Sequence, residues 1–224
     1  MTIRIAEGTE PGGTADQRRA QMLHAALEVI SARGYADTRI ADVADRAGVS
    51  PALVIYYFKT KDLLLTEAIR YYEDTWYAVG QNRLAGLTSA AARLEEFVAM
   101  SCLSEAEPEP AFASQLWLDF WAQAARNEEV ASVRQKSDER WRQVISSLVH
   151  AGQEAGEFRA VDADNFAIYL STLIDGLTIQ IALADPVVDS RAAFELTMRF
   201  VADQLGFTWT PDRDRASQME PQKG

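Results

Sequence analysis

Residues 38–61 hold two short apolar stripes on either side of a glycine turn, the pattern of a helix-turn-helix. Ile40, Val43, Ala44 and Ala47 recur at i, i+3, i+4 and i+7, so one face of a first short helix is apolar. Ala44 is small enough to let a second helix cross closely. Gly48 stands just past the helix end, where a positive φ costs glycine least. Ser50 suits an N-cap and Pro51 the first helical position of the next helix, which runs to about Phe58 with Val54 and Phe58 one turn apart. In a DNA-binding unit of this kind the second helix enters the major groove.

The net charge of −11 argues at first against a nucleic-acid partner. Its distribution matters more than its total. Between Asp16 and Lys61 seven cations (Arg18, Arg19, Arg33, Arg39, Arg46, Lys59, Lys61) face five anions (Asp16, Glu28, Asp37, Asp42, Asp45). That segment carries +2 and the rest of the chain −13. A locally basic face on an acidic body still binds phosphates.

The 224 residues permit one compact domain or two small ones with a sizeable core. No apolar run reaches the ~18 residues a membrane span needs. The first residues lack the basic-then-apolar pattern of a secretion signal. Cys102 is the only cysteine, which rules out an intramolecular disulfide and fits a reducing, cytoplasmic setting. His24 and His150 are the only histidines, so neither a metal site nor a cofactor is expected.

An all-α chain of about nine helices is expected. Residues 1–13 and 207–224 are polar and aperiodic and read as disordered tails. Residues 14–60 form a three-helix DNA-binding domain that opens with a capping box between Thr14 and Gln17. Residues 61–206 form a larger helical domain for an effector and for dimerisation. Its helices are expected at about 61–83, 89–104, 112–126, 128–155, 164–184 and 191–205, with an acidic, proline-bearing loop from Glu105 to Pro110.

The order Gly34-Tyr35, Thr38, Ile40, Asp42-Val43-Ala44, Ala47-Gly48-Val49-Ser50, Tyr57-Phe58, Lys61 and Leu63-Leu64 resembles the TetR family of bacterial transcriptional regulators. The likeness spans roughly Arg18 to Ile69. Residues Leu116 to Trp121 and Ile174 to Leu177 are similar to the ligand domain of its BetI-like branch. Leu53 and Ile55 depart from the commonest family pattern, in which Thr or Ser and Tyr stand there. The resemblance implies a homodimer on an operator of two half-sites, released by a small molecule.

It also implies backbone-phosphate contacts at Thr38, Tyr57 and Lys61. Arg18, Arg19 and Arg39 are further candidates for phosphate, and Ser50, Pro51, Ala52 and Tyr56 for base edges. The apolar surface of Pro51, Ala52 and Leu53 suits thymine methyls, so specificity falls largely to Tyr56 and to DNA shape.

In the second half, Trp76, Met100, Trp117, Trp121, Trp141, Phe166 and Tyr169 are candidates to line an effector pocket. Acidic neighbours Asp119, Asp175 and Glu96 with such rings would favour a cationic or flat hydrophobic effector. The same aromatics could simply fill a core. Leu177, Ile181, Phe194, Met198, Val201 and Leu205 on the last two helices are the candidate dimer contacts, in the four-helix interface the resemblance implies. A ligand-responsive repressor of double-stranded DNA is therefore expected. The alternatives are an effector-independent or activating DNA-binding regulator and an all-helical enzyme. The enzyme has neither a phosphate-cradling glycine loop nor a catalytic triad to support it.

Overall fold

The computed structural model describes residues 14–103 and 110–211. The expected arm at 1–13, most of the acidic loop and the stretch 212–224 lie outside the described residues. Nine helices and no strand occur among those that are described: α1 (Ala15–Arg33), α2 (Ile40–Ala47), α3 (Pro51–Phe58), α4 (Lys61–Ala85), α5 (Ala90–Cys102), α6 (Pro110–Ala124), α7 (Glu128–Glu154), α8 (Ala163–Ala182) and α9 (Ser190–Leu205). Pro110, expected in a loop, opens α6 instead, a position where its missing N–H costs nothing.

The helix ends form for the expected reasons. Thr14 Oγ1 accepts from Gln17 N (3.3 Å) while Thr14 N donates to Gln17 Oε1 (2.7 Å), which completes the capping box of α1. Gly48 takes the left-handed conformation (φ 65°) and its N–H closes α2 onto Ala44 and Asp45 carbonyls.

The chain packs as two compact groups. Among the described residues, one contains 14–82 and 111–139, and the other 83–103, 110 and 140–211. In this grouping α4, α6 and the first half of α7 pack with α1–α3. The core of this first group joins Met22, Leu23 and Ile30 of α1, Val43 and Ala44 of α2, and Val54 and Phe58 of α3 to Leu65 and Ile69 of α4, Leu116 and Phe120 of α6, and Val130 of α7. In the second group α9 packs on α5 and α8. Leu94, Phe97, Ile145, Leu170, Ile174, Met198, Val201 and Leu205 are buried there.

Residues 207–211, expected as the start of a tail, are described and engaged. The Phe207 ring lies 5.4 Å from that of Phe158, and Trp209 meets Phe194 edge-on at 5.8 Å. Half-burying two large rings gives this stretch a reason to be ordered that its polar composition hid.

Candidate nucleic-acid interface

Helix α3 divides into two faces. Val54 (0% exposed) and Phe58 (3%) are sunk in the core, and Leu53 and Tyr57 pack half-buried beside them. Pro51, Ala52, Ile55 and Tyr56 face outward, Tyr56 with 70% of its surface open. Ser50 Oγ caps the helix by accepting from Leu53 N at 3.2 Å. A helix that exposes an apolar and aromatic face on an anchored scaffold is suited to enter a groove.

Ala52, Ile55 and Tyr56 share one stripe at i, i+3 and i+4, and Lys59 follows just past the end of the helix. Ile55 and Lys59 were not among the expected contacts, although this spacing was legible in the sequence. Lys59 adopts a positive φ of 62°. Its ammonium donates to the Tyr56 carbonyl at 2.7 Å and stands 5.1 Å over the Tyr56 ring, which places a cation at the edge of the outward face.

The expected phosphate contacts separate into outward and inward groups. Arg18 and Arg39 are exposed, and the Arg39 N–H donates to Asp42 Oδ2 at 2.9 Å to fix the start of α2. Arg19 is drawn to α4, where it pairs with Glu67 and lies over the Phe58 ring. Thr38 is 2% exposed and its hydroxyl donates to the Gly34 carbonyl at 2.8 Å, so its side chain closes the turn after α1. Lys61 also points inward. Its ammonium donates to the carbonyls of Tyr35 (2.6 Å), Ala36 (3.2 Å) and Thr38 (2.9 Å) and rests 4.2 Å over the Tyr35 ring. Burial pushes its pKa down, while Asp37 and Asp119 push it up.

Two further cations, read as surface charges, tie α1 to α2. Arg46 grips Glu28 with two bonds of 2.7 Å, and Arg33 donates to Asp42 at 2.9 Å. The Arg46 hydrogen bonds hold the Glu28 carboxyl below its ordinary pKa, against the opposing effect of burial. The outward basic charge is therefore smaller than the count of residues suggests.

The candidate effector residues do not all come together. In the first group Trp117 and Trp121 pack against the core that α1–α3 share, with their rings 6.2 Å apart. Trp76 meets Tyr77 edge-on at 5.2 Å. In the second group Trp141 lies 4.8 Å from Phe97, Phe166 stacks on Phe200 at 6.1 Å, and Met100 is half-buried. Tyr169 is 64% exposed and lines no interior space. A groove of about 490 Å³ between α4 and α7 is lined by Leu63, Thr66, Glu67, Arg70, Ser132 and Lys136, among others, and by none of these aromatics.

Two of the acids proposed beside a cationic effector are occupied. Glu96 pairs with Arg83, and Asp119 accepts the Tyr35 N–H at 2.8 Å. Burial pushes the Asp119 carboxyl up and nearby Lys61 pushes it down.

The expected dimer contacts need correction. Phe194 (8%), Met198 (0%), Val201 (0%) and Leu205 (0%) are buried within the chain itself. Their stripe faces α5 and α8 and has no surface left for a partner. Leu177 and Ile181 remain half-buried. The apolar residues that do reach the surface of α8 and α9 are Ile168 (48%), Tyr169 and Leu196 (49%).

Comparison with known proteins agrees with this architecture. The family described as bacterial regulatory proteins, tetR family, matches residues 22–68, and the BetI-type transcriptional repressor C-terminal family matches residues 90–206. The HTH-type transcriptional regulator BetI of Burkholderia ambifaria (strain MC40-6) is 32% identical over 190 residues, which covers 84% of this chain and 94% of that protein. BetI of Escherichia coli O45:K1 is 31% identical over 194 residues, covering 86% and 96%. Among solved structures, a Saccharomonospora viridis protein described as a transcriptional regulator, in complex with choline, superposes with a TM-score of 0.75 at 28% identity, over 83% of this chain and 96% of that one. A TetR-family regulator from Rhodococcus sp. gives 0.74 at 25% identity, over 85% and 99%. A helix-turn-helix at the N-terminal end, a helical body behind it and a likeness to both halves of one regulator type lead to a single assignment: the chain belongs to the TetR family of DNA-binding transcriptional regulators, and its C-terminal part is of the BetI type.

Proposed function

We propose that the protein is a cytoplasmic repressor that binds an inverted-repeat operator as a homodimer and leaves it when a small cationic effector binds. The observation that carries the DNA side is the outward face of α3, with Tyr56 70% exposed at its centre. Ala52 and Ile55 offer apolar contact to thymine methyls, and Tyr56 and Lys59 supply polar and charged contacts. The effector reading is supported by the choline complex of the similar S. viridis protein and by the abundance of tryptophan in this chain, since ring faces attract quaternary ammonium groups.

The dimer reading now rests on the outward side of α8 and α9. Ile168, Tyr169 and Leu196 form its apolar part. A Cβ at Gly176 would meet nothing within 4 Å, so a second helix can approach α8 closely at that point.

Selection of bound fragments from a random duplex library tests this reading. An enriched inverted repeat is expected, from which Tyr56→Ala loses about 10-fold or more in affinity, one good base contact being worth roughly 1–3 kcal/mol. Its thermal midpoint should stay unchanged, because the side chain is mostly in solvent. Choline should release the wild-type protein from the selected duplex. Tyr169→Glu with Leu196→Glu should give a monomer in light scattering. Enrichment of a single unrepeated site would remove the two-fold arrangement, and a dimer that survives the double substitution would move its interface away from this side of α8 and α9.

A further inference from the structure

Tyr35 is held from every side by groups outside α2 and α3. Its N–H donates to Asp119 Oδ2 of α6 at 2.8 Å, and its carbonyl accepts from Lys61 Nζ of α4 at 2.6 Å. Its ring lies under the same ammonium at 4.2 Å, and its hydroxyl donates to the Asp62 carboxylate. The other oxygen of Asp62 accepts from Asn127 Nδ2 at 2.9 Å, and Asn127 Oδ1 in turn accepts from Glu129 N at 3.0 Å, capping the start of α7. Tyr35 is 5% exposed. It sits four residues before Arg39, the N-cap of α2, and the intervening carbonyls of Ala36 and Thr38 are pinned by Lys61 as well.

The family boundaries give this network its meaning. Tyr35, Lys61 and Asp62 fall in the tetR-type DNA-binding segment, 22–68, and Asp119 and Asn127 in the BetI-type segment, 90–206. We propose that Tyr35 is the positioning residue through which α6 and the α6–α7 turn set the orientation of the helix-turn-helix, with Asp119 as the principal hold. A shift of α6 moves the acceptor of the Tyr35 N–H, and the segment 35–39 that fixes the start of α2 then loses its reference. Operator binding falls because α2 and α3 are no longer held in advance, although no residue that touches DNA has changed. This rests on the family's DNA binding, and it adds a contact route for the effector response proposed above.

Three variants test it on the full-length chain. Asp119→Ala removes the acceptor, Asp119→Asn keeps an oxygen acceptor at the same place, and Tyr35→Phe cuts only the branch to Asp62 and Asn127. Hydrogen exchange of backbone amides is read alongside the Kd for the duplex selected by the wild type, with and without choline. Asp119→Ala is expected to lose protection at residues 35–42, to bind the duplex about 10-fold more weakly without choline, and to show a smaller further loss when choline is added. Asp119→Asn should stay within about 3-fold of the wild type, and Tyr35→Phe should fall between the two. Wild-type affinity in Asp119→Ala overturns the proposal. So does a loss of protection spread evenly over α1–α4, the mark of general destabilisation. If choline fails to release even the wild type, the effector reading falls alone, and the exchange pattern and the choline-free affinities still decide the role of Tyr35.

Discussion

Replacing Lys61 with methionine separates two roles that the sequence could not tell apart. The stem keeps its length, while the ammonium that binds the carbonyls of Tyr35, Ala36 and Thr38 is lost. Hydrogen bonds to a charged group contribute roughly 1.5–3 kcal/mol in buried settings, and Lys61 is only half-buried. With each of the three bonds discounted to at most about 1 kcal/mol, the substitution costs about 2–3 kcal/mol. In a chain of this size each kcal/mol lowers the thermal midpoint by about 2–4 °C, so a drop of about 4–12 °C is expected. The decisive assay is the salt dependence of operator binding. A phosphate contact would contribute about 0.9 to the slope of log K against log salt. With its donors spent inside the protein, Lys61→Met should weaken binding at all salt concentrations and leave that slope unchanged. A slope lower by about one with an unaltered thermal midpoint would refute the inward placement and return Lys61 to the phosphate backbone.

Other groups give independent tests. The Glu157 carboxylate caps α5 from a distance, accepting from Ala90 N (3.0 Å) and Ala91 N (3.1 Å), and these bonds lower its pKa below 4.5. A carboxyl depressed in the folded state stabilises above its unfolded value and loses that contribution as pH falls through the folded one. Glu157→Gln should therefore destabilise at pH 7 by about 1 kcal/mol in thermal melts, with the gap closing below pH 4.5; a gap that persists in acid would point to packing. At Gly152 a Cβ would stand 2.0 Å from the Phe158 ring. Gly152→Ala should cost about 1–3 kcal/mol in denaturant unfolding although alanine favours helix, and a stabilised variant would contradict the close contact. Burial pushes the Cys102 thiol up to about 12. The native protein should resist thiol-reactive reagents until it unfolds, and fast labelling under native conditions would show that α5 opens.

The fold was largely legible because each helix announces itself locally. Thr14 with Gln17, Gly48, Ser50 with Pro51, and Gly206 at φ 77° mark helix ends by chemistry that needs no distant partner. The site was legible only where burial could be read from period alone. Val54 and Phe58 identify the inner face of α3, and the outer stripe of Ala52, Ile55 and Tyr56 follows from them. Periodicity says that a stripe is buried but not against what. The stripe of Phe194, Met198, Val201 and Leu205 matches a dimer seam and an internal packing seam equally well, and only the presence of α5 and α8 on that side decides for the second. Polar residues raise the same difficulty in sharper form. A lysine at the start of a helix beside DNA-binding elements suits a phosphate, yet the turn after α1 leaves three carbonyls within its reach, and that turn is shaped by Asp119, 84 positions from Tyr35 in the chain. A contact so distant in sequence carries no local signal. The placement of Thr38, Lys61 and Tyr35 therefore had to come from the folded chain, which turns these side chains inward and leaves Arg18, Arg39 and the outer face of α3 exposed.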